Sequence, residues 1–505
     1  MSELSAIVLA AGEGKRMKSK LTKVLHPIAG RPLVYYPVRA ALDAGARSVA
    51  VVTNRDNAEL VGAYVSTVFG KGRVRCVTQD PPRGTGDAAR VGLTLTEADR
   101  VLILCGDTPL LRAEELARVL EALDASDKLE LALMSCLVDD PGGYGRILRS
   151  PAGAVLEIRE HRDLSNDEQR AVREVNAGVY AARRAPLAAA LAELTPSNAA
   201  NEYYLTDVVA MAAKRGAAAA VIGDAEALVG VNDRSQLAEA EILMYERIAR
   251  QHCQNGVTVH RGARIEHGVT IEIDATIETD VFLRGQTAIG SGATIDVGCV
   301  VTDSKIGANT VLKPYSIVTG SVIGDWAQIG PFAHLRPGSQ IDDKAHIGNF
   351  VECKKTRVRR GAKANHLSYL GDGDIGENAN VGAGTIFCNY DGFQKHKTTI
   401  GAGAFVGSDS QFVAPVTVGK NAYVATATTV TKDVPEDGLA ISRTKQENKE
   451  GYAKRLRGRL AAAAGKADPS RAPDTVKADP SRAPDTVKAS DPTPDPDSGR
   501  SQKRA

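Results

Sequence analysis

From residue 265 onward an aliphatic side chain falls at every sixth position: Ile265, Ile271, Ile277, Leu283, Ile289, Ile295 and Val301. A one-residue slip resets the phase at Ile306, Leu312 and Val318, and another at Ile323, Ile329, Leu335, Ile341 and Ile347. The series resumes at Ile375, Val381 and Phe387, then at Ile400, Val406, Phe412, Val418, Val424 and Val430. Gly, Asp or Ala usually follows the aliphatic residue, and a small residue usually sits three beyond that. Helices repeat every 3.6 residues and strands every 2, so neither produces this period. The pattern predicts a parallel β-helix, whose stacked coils bury one aliphatic residue per corner. Two stretches, 354–374 and 388–399, break the phase and are expected to be loop insertions that carry function.

The first 230 or so residues follow a different rule. Apolar runs at 6–10, 48–53, 74–79, 101–107 and 129–138 read as strands, and 33–45 carries apolar residues at helical spacing. Alternation of this kind predicts a mostly parallel α/β sheet with helices on both faces and ligands at the carboxyl ends of its strands. Residues 233–254 contain no Gly or Pro, and Leu237, Ile242, Tyr245, Ile248 and Ala249 recur at helix-like spacing, which predicts a linker helix. The expected domains are therefore 1–232, 233–254, 255–458 and a tail at 459–505. The last forty residues hold seven prolines and no Leu, Ile or aromatic, so the tail is expected to be disordered.

Charge and cysteine usage narrow the partners. Lys and Arg number 63 against 61 Asp and Glu, too even a balance for a nucleic-acid protein that relies on bulk positive charge. No run of 18 apolar residues occurs, and the N-terminus lacks a basic segment before its apolar stretch. Seven cysteines are scattered without a C-x-x-C pair, against both a disulfide framework and a structural zinc site. The expectation is a cytoplasmic protein without nucleic-acid or membrane partners.

Candidate chemistry begins after the first strand. Leu9-Ala10-Ala11-Gly12-Glu-Gly14-Lys15-Arg16-Met17 leads to Lys23-Val-Leu25, where small residues let backbone N–H groups approach phosphate and two cations add charge. The loop lacks the third glycine of a dinucleotide fingerprint and the spacing of a Walker A loop, so a plain strand-to-helix turn remains the alternative. Cys105-Gly106-Asp107 ends the most apolar strand, and Asp107 suits either a magnesium ion bridging phosphates or the cap of the next helix. Gly84-Thr85-Gly86 and Tyr144-Gly145-Arg146 read as turns, with or without a ligand. With Gln79, Glu160-His161, Asn176-Ala-Gly178 and Gly230-Val-Asn232, these elements stand in the order found in sugar-nucleotide pyrophosphorylases, which the first domain resembles. That family usually has Thr in place of Lys15 and Pro in place of Thr22.

In the repeat region, His366 and Tyr369 read as sharing one loop, with Arg336, Lys354 and Asn380 nearby. A neutral histidine can take a proton from an amine, and cations can hold a sugar phosphate. Phe332-Ala-His-Leu-Arg336, Gly348-Asn-Phe-Val-Glu352, His366-Leu-Ser-Tyr369, Asn380-Val-Gly-Ala383-Gly, Cys388-Asn389-Tyr390-Asp391-Gly392 and Val406-Gly-Ser408-Asp complete a second ordered set. Joined to the first, it makes the chain resemble, over roughly residues 5–450, the bacterial bifunctional N-acetylglucosamine-1-phosphate uridyltransferase/glucosamine-1-phosphate N-acetyltransferases.

The resemblance implies a Rossmann-like nucleotidyltransferase domain, a left-handed β-helix and a homotrimer. It implies acetyl transfer from acetyl-CoA to glucosamine-1-phosphate, then uridylyl transfer from UTP to give UDP-N-acetylglucosamine and pyrophosphate. By the same resemblance His366 is the general base, and Arg336, Lys354, Tyr369 and Asn380 contact the sugar phosphate. Ala383, Asn389, Tyr390, Ser408, Thr426 and Arg443 match acetyl-CoA positions. Arg16 and Lys23 match catalytic cations, and Asp107 and Asn232 match ligands of Mg2+. Leu9, Ala10, Ala11, Gly12, Gln79, Gly84, Thr85, Cys105, Gly106, Gly145, Glu160 and Asn176 match positions around the nucleotide and sugar. The alternative at this level is a sugar-nucleotide pyrophosphorylase whose β-helix only trimerises. The composition of the tail makes it dispensable: a chain ended after about residue 460 should keep its activities and oligomeric state, as assayed by product formation and gel filtration, and loss of either would show the tail is misread.

Overall fold

The computed structural model describes residues 3–70 and 72–466, so most of the expected tail lies outside the described residues. The N-terminal sheet has nine strands. Its main path runs Ala218–Ile222, Leu131–Leu137, Glu174–Arg183, Arg100–Cys105, Leu4–Leu9, Ser48–Asn54 and Val74–Gln79. Only Glu174–Arg183 on this path is antiparallel to its neighbours, which makes the sheet mixed. Along the central strand, Ala6 and Val8 enter one apolar cluster and Ile7 enters another. Both faces are therefore covered, which is why these strands read as continuous apolar runs. The strand expected at 101–107 stops at Cys105, leaving Gly106 and Asp107 in the turn beyond it, where ligands of such sheets collect.

The β-helix is left-handed and made of three sheets of 11, 10 and 9 short parallel strands. Register shows how the repeat closes. Thr276 pairs with Thr294 where three full hexapeptides make a coil, and Ala288 pairs with Lys305 where a slip shortens it. The phased aliphatic residues are buried almost throughout; Ile329, Leu335 and Val424 are each 0% exposed. The small residues between them also point inward. Thr310 and Thr356 donate to the Gly324 and Leu370 carbonyls of the next coil, each at 2.7 Å, so the polar group is satisfied inside the core.

The stretch 354–374 is not an insertion. Cys353, Val358, Ala364 and Leu370 are each 0% exposed and continue the stack, hidden from the sequence pattern because two of them are not large aliphatics. The second interruption is a true loop. Asn380 pairs with Phe405, a step lengthened by the residues between Phe387 and Thr398.

The linker helix spans Arg234–Gln254, and the Asp233 carboxylate caps it by accepting from the Ser235 and Gln236 N–H groups at 3.0 Å each. Its buried stripe is Ala240, Met244 and Ile248; Ile242, expected to be inward, lies on the opposite face and is exposed. Contact between sheet domain and β-helix is intimate. The His267 N–H donates to the Ala29 carbonyl at 2.8 Å, the Tyr35 hydroxyl meets His267 Nε2 at 2.8 Å, and Ile28, Leu33, Ile265 and Leu283 share one apolar core. Residues 1–443 accordingly form one compact unit.

A second unit begins at Thr444. Its described part contains the helix Tyr452–Ala463, which crosses the expected start of disorder at 459. Ala, Leu, Arg and Lys are strong helix formers, and that local preference outweighs the composition of the sequence beyond. Among the described residues no helix is long and apolar enough to cross a membrane. Because Ile329 is fully buried and its neighbour Gln328 is exposed, Ile329→Ala should destabilise the protein by about 2–5 kcal/mol in denaturant unfolding, whereas Gln328→Ala should change it by less than about 0.5 kcal/mol.

Candidate active sites

The first site lies at the carboxyl ends of the sheet strands. A cleft of about 660 Å3 is lined by Gly12, Arg16, Lys23, Glu160 and Asn232, among others. The loop that enters it is built by left-handed backbone at Gly14, φ 65, where any Cβ would stand 2.5 Å from that of Lys23. Arg16 and Lys23 sit on two short 3-10 turns, Lys15–Met17 and Lys23–Leu25. Both cations turn to one atom: Arg16 donates to Asn232 Oδ1 at 2.9 Å and Lys23 at 3.0 Å. The Lys23 ammonium is also paired with the Asp107 carboxylate.

Asp107 does not cap the following helix, whose cap position is Arg112. Instead its backbone carbonyl accepts from Val231 at 2.9 Å, which fixes Asp107 beside Asn232. One ammonium touches both side-chain oxygens, so the two converge on a point within reach of a single cation. Hard oxygen donors of this kind suit a divalent ion that completes its shell with phosphates and water.

The remaining expected residues surround this centre. Glu160 is mostly enclosed, and burial pushes its carboxyl pKa up against an opposing hydrogen bond from Thr206 at 3.2 Å. Gly145 leaves room beside it, since a Cβ there would stand 2.8 Å from Ile158. The Asn176 N–H donates to the Gly145 carbonyl at 2.9 Å, and its side-chain amide donates to Tyr180 at 2.7 Å. Cys105 is partly buried beside Gly178, and desolvation raises its thiol pKa to about 12, so it serves as packing and not as a thiolate. The Gly106 N–H donates to the Leu9 carbonyl at 2.9 Å, closing the floor below Ala10 and Ala11.

Gln79, Gly84 and Thr85 lie together at and just past the end of the strand Val74–Gln79. Gln79 is 2% exposed and donates to the Gly84 carbonyl and to Asp87, while the Thr85 hydroxyl accepts from the Leu205 N–H at 3.0 Å. They brace the turn that opens the helix Thr85–Leu93.

Two residues absent from the sequence reading hold the phosphate loop. Asn54 and Asn57 are buried, accept from each other's backbone N–H at 3.0 Å, and donate to the Ala11 and Ala10 carbonyls at 2.9 Å. Asn57 also donates to the Thr22 hydroxyl at 3.3 Å, a contact that proline could not make. A buried asparagine pair just past an apolar strand was the signal available.

The second site is a ridge on the β-helix. His366 and Tyr369 do not share a loop: they lie on strands Lys363–His366 and Tyr369–Gly371, either side of one corner. Asn349 stacks under His366 in register, and Asn349 Oδ1 meets His366 Nδ1 at 2.8 Å. An amide oxygen only accepts, so Nδ1 carries the proton and Nε2 keeps its lone pair for a substrate. Asn349 was visible only as a motif residue without a role.

Register then places Ala383 one coil above His366, Ser408 above Ala383 and Thr426 above Ser408. Ladder hydrogen bonds confirm the order, from Asp409 N–H to the Ala383 carbonyl at 2.7 Å and from Ala427 N–H to Ser408 at 2.8 Å. Arg443 ends the ridge by donating to the Thr426 carbonyl at 3.0 Å. At about 4.8 Å per coil, the four steps span roughly 19 Å.

Arg336 and Lys354 stack on the other edge of the sheet that carries Tyr369. Arg336 donates to Glu352 at 2.7 Å, and Glu352 is in register with Tyr369. Asn380 lies one coil above Lys363. In the inserted loop Asn389 is buried and donates to Asp372 at 2.6 Å, while Tyr390 is exposed with the Lys395 ammonium over its ring at 4.2 Å.

Residues 6–197 match the family model for a MobA-like NTP transferase domain. Over nearly the whole chain the protein is similar to relatives named bifunctional protein GlmU. That of Sorangium cellulosum is 58% identical over 467 residues, covering 92% of this chain and 98% of the relative. The protein of Anaeromyxobacter sp. is 47% identical, covering 93% and 96%, and that of Geobacter sulfurreducens is 44% identical, covering 90% and 100%. Two separate sites on one chain, an NTP transferase domain and full-length identity of this order leave one conclusion: the chain belongs to the bifunctional GlmU family and unites a uridyltransferase with an acetyltransferase.

Proposed function

We propose that the sheet domain, 1–232, houses uridylyl transfer and the β-helix domain, 255–458, acetyl transfer, joined by the helix at 233–254. The observation that carries the first assignment is the meeting of Arg16, Lys23 and Asn232, up to 216 positions apart, at one amide oxygen. In this site a phosphate oxygen of N-acetylglucosamine-1-phosphate attacks the α-phosphorus of UTP, and the bond to pyrophosphate breaks. Arg16 and Lys23 stabilise the charge on the transferring phosphoryl group, and no covalent intermediate is needed. Asp107 and Asn232 are the residues that would hold Mg2+, which when bound neutralises phosphate charge. Glu160, Gly145 and Asn176 face the sugar, and Leu9 to Gly12 cradle the nucleotide. Gln79, Gly84 and Thr85 contact the uridine and sugar from the turn that opens the helix Thr85–Leu93.

In the β-helix, Nε2 of His366 takes a proton from the amine of glucosamine-1-phosphate as its nitrogen attacks the thioester carbonyl; the C–S bond breaks and the CoA thiol leaves. An ammonium has no lone pair for this attack, and a positioned base typically contributes about 10²–10⁴ in rate. Arg336, Lys354, Tyr369 and Asn380 hold the sugar phosphate. The ridge of Ala383, Ser408, Thr426 and Arg443 has the length for an extended cofactor arm, with Asn389 and Tyr390 on the loop beside it.

A homotrimer is supported by an exposed ladder of apolar rings. Tyr315, Phe332 and Phe350 stack at 5.4 Å spacing, and Leu367, next to the base, prolongs the row. Exposed apolar patches of this kind mark association surfaces. A cytoplasmic location is supported by seven cysteines that are all unpaired.

Asp107→Asn should lower UDP-N-acetylglucosamine formation by at least about 100-fold and leave acetylation within about twofold, because it removes a carboxylate from one site alone. His366→Ala should do the reverse, with an acetylation loss in the general-base range of about 10²–10⁴. Both are read by following the two products separately in folded protein, and loss of both reactions in either variant would refute two independent sites. A third expectation concerns Ala427, which holds left-handed backbone at φ 55 where Gly is easier, and Thr426 beside it; both are exposed on the ridge. Thr426→Ala with Ala427→Gly should lower the KM for acetyl-CoA, at the mild end of about 5- to 150-fold, with uridylyl transfer unchanged. An unchanged KM would show that these side chains do not crowd the cofactor.

A further inference from the structure

The cations of the uridylyl site belong to the sheet domain, whereas the amide they share stands at the start of the linker helix. The turn that carries Arg16 is bounded on both sides by left-handed residues, Gly14 at φ 65 and Lys18 at φ 47, so its two hinges are sharply bent and its body is three residues long. Its Met17 side chain is buried, and the Met17 carbonyl accepts from Nε of Arg234 at 3.3 Å. Arg234 is the first residue of the linker helix. Two residues on, Gln236 Oε1 accepts from the Asn232 N–H at 2.7 Å, and Asp233 caps the same turn. The helix start therefore grips both ends of one contact: Asn232 through Gln236, and the Arg16 turn through Arg234.

The second turn, with Lys23, runs straight into His26. That imidazole is 2% exposed, and its Nε2 is buried without a hydrogen-bond partner among the described residues. Burial first, then the nearby Arg234 guanidinium, depresses its proton affinity, so His26 is a neutral packing surface and Arg234 lies close to both cation-bearing turns. Midway along, the same helix packs on the first β-helix coils, with Tyr245 edge-on to Phe282 at 6.2 Å.

We infer that Arg234 is a positioning residue for uridylyl transfer: by holding the Met17 carbonyl it aims Arg16 at Asn232, so the linker helix sets the geometry of the phosphate site. The inference rests on the reading of Arg16 as a phosphate-stabilising cation. A planar guanidinium on a rigid helix start can fix a carbonyl that a mobile ammonium would hold loosely.

The test is a double-mutant cycle in the full chain with R16A, R234A and the pair, measuring kcat and KM for UTP and, in the same samples, acetyl transfer as a check of folding. R234A should lower uridylyl kcat on the order of 10- to 100-fold, as displaced supporting groups do, with acetylation unchanged. In the R16A background the same change should add less than about twofold, the margin within which independent effects add. An undiminished kcat in R234A, an equal fold loss in both backgrounds, or a parallel loss of acetylation would overturn the inference. An undiminished kcat in R16A would instead remove the reading of Arg16 itself. Should R234A fail to fold, the cycle is run with R234K, which keeps the charge and the stem; the same non-additive loss is expected, and additive losses or none would overturn the proposal equally.

Discussion

Inward stacking of one aliphatic side chain per hexapeptide is the constraint on which the β-helix depends. Each coil must place its Ile, Leu, Val or Phe above the one below, so the register between coils is fixed even where a coil is short or carries an insertion. Asn349 pairs with His366 across a shortened coil, and Asn380 pairs with Phe405 across the inserted loop. Core packing thereby decides which surface residues share a ridge. His366, Ala383, Ser408 and Thr426 are irregularly spaced in sequence yet form one line, because the buried residues beside them do.

The sheet domain depends on a different device. Its floor is a rigid sheet buried on both faces, but its charges ride on short turns that need outside support. The Asn54–Asn57 pair holds the loop from the sheet side, through the Ala10 and Ala11 carbonyls and the Thr22 hydroxyl. The linker helix holds it from the other side through Asn232 and Arg234. Contacts of His267 with Ala29 and Tyr35 tie the hairpin after Lys23 to the β-helix. The sheet domain and the first coils of the β-helix are thus packed directly on each other.

Much of this was legible in the sequence, for physical reasons. A six-residue period fits neither helix nor strand, so the β-helix core was predicted wherever large aliphatics mark it, and a helix, Arg234–Gln254, lies where Gly and Pro are absent. Where small residues replaced aliphatics, as at Cys353 and Ala364, the stack continued unseen and looked like an insertion. Helix 234–254 was oriented wrongly at Ile242, since spacing alone does not say which of two faces meets a partner. The hairpin Arg146–Arg149 with Val155–Arg159 and the antiparallel strand Glu174–Arg183 went unrecognised, the latter because an irregularity between Asn176 and Val179 breaks its alternation. The supporting residues Asn54, Asn57 and Arg234 were not read from the sequence, and Asn349 stood there only inside a motif, because a supporting hydrogen bond leaves no periodic trace.

The most direct test of the account is where acetyl-CoA lies on the β-helix, since that position follows from register alone. A crystal structure of the complex should show the cofactor arm running along Ala383, Ser408 and Thr426 toward Arg443, with its thioester end beside Nε2 of His366. A cofactor seated on another sheet or corner, away from that ridge, would contradict the claim that core register builds the acetyltransferase site.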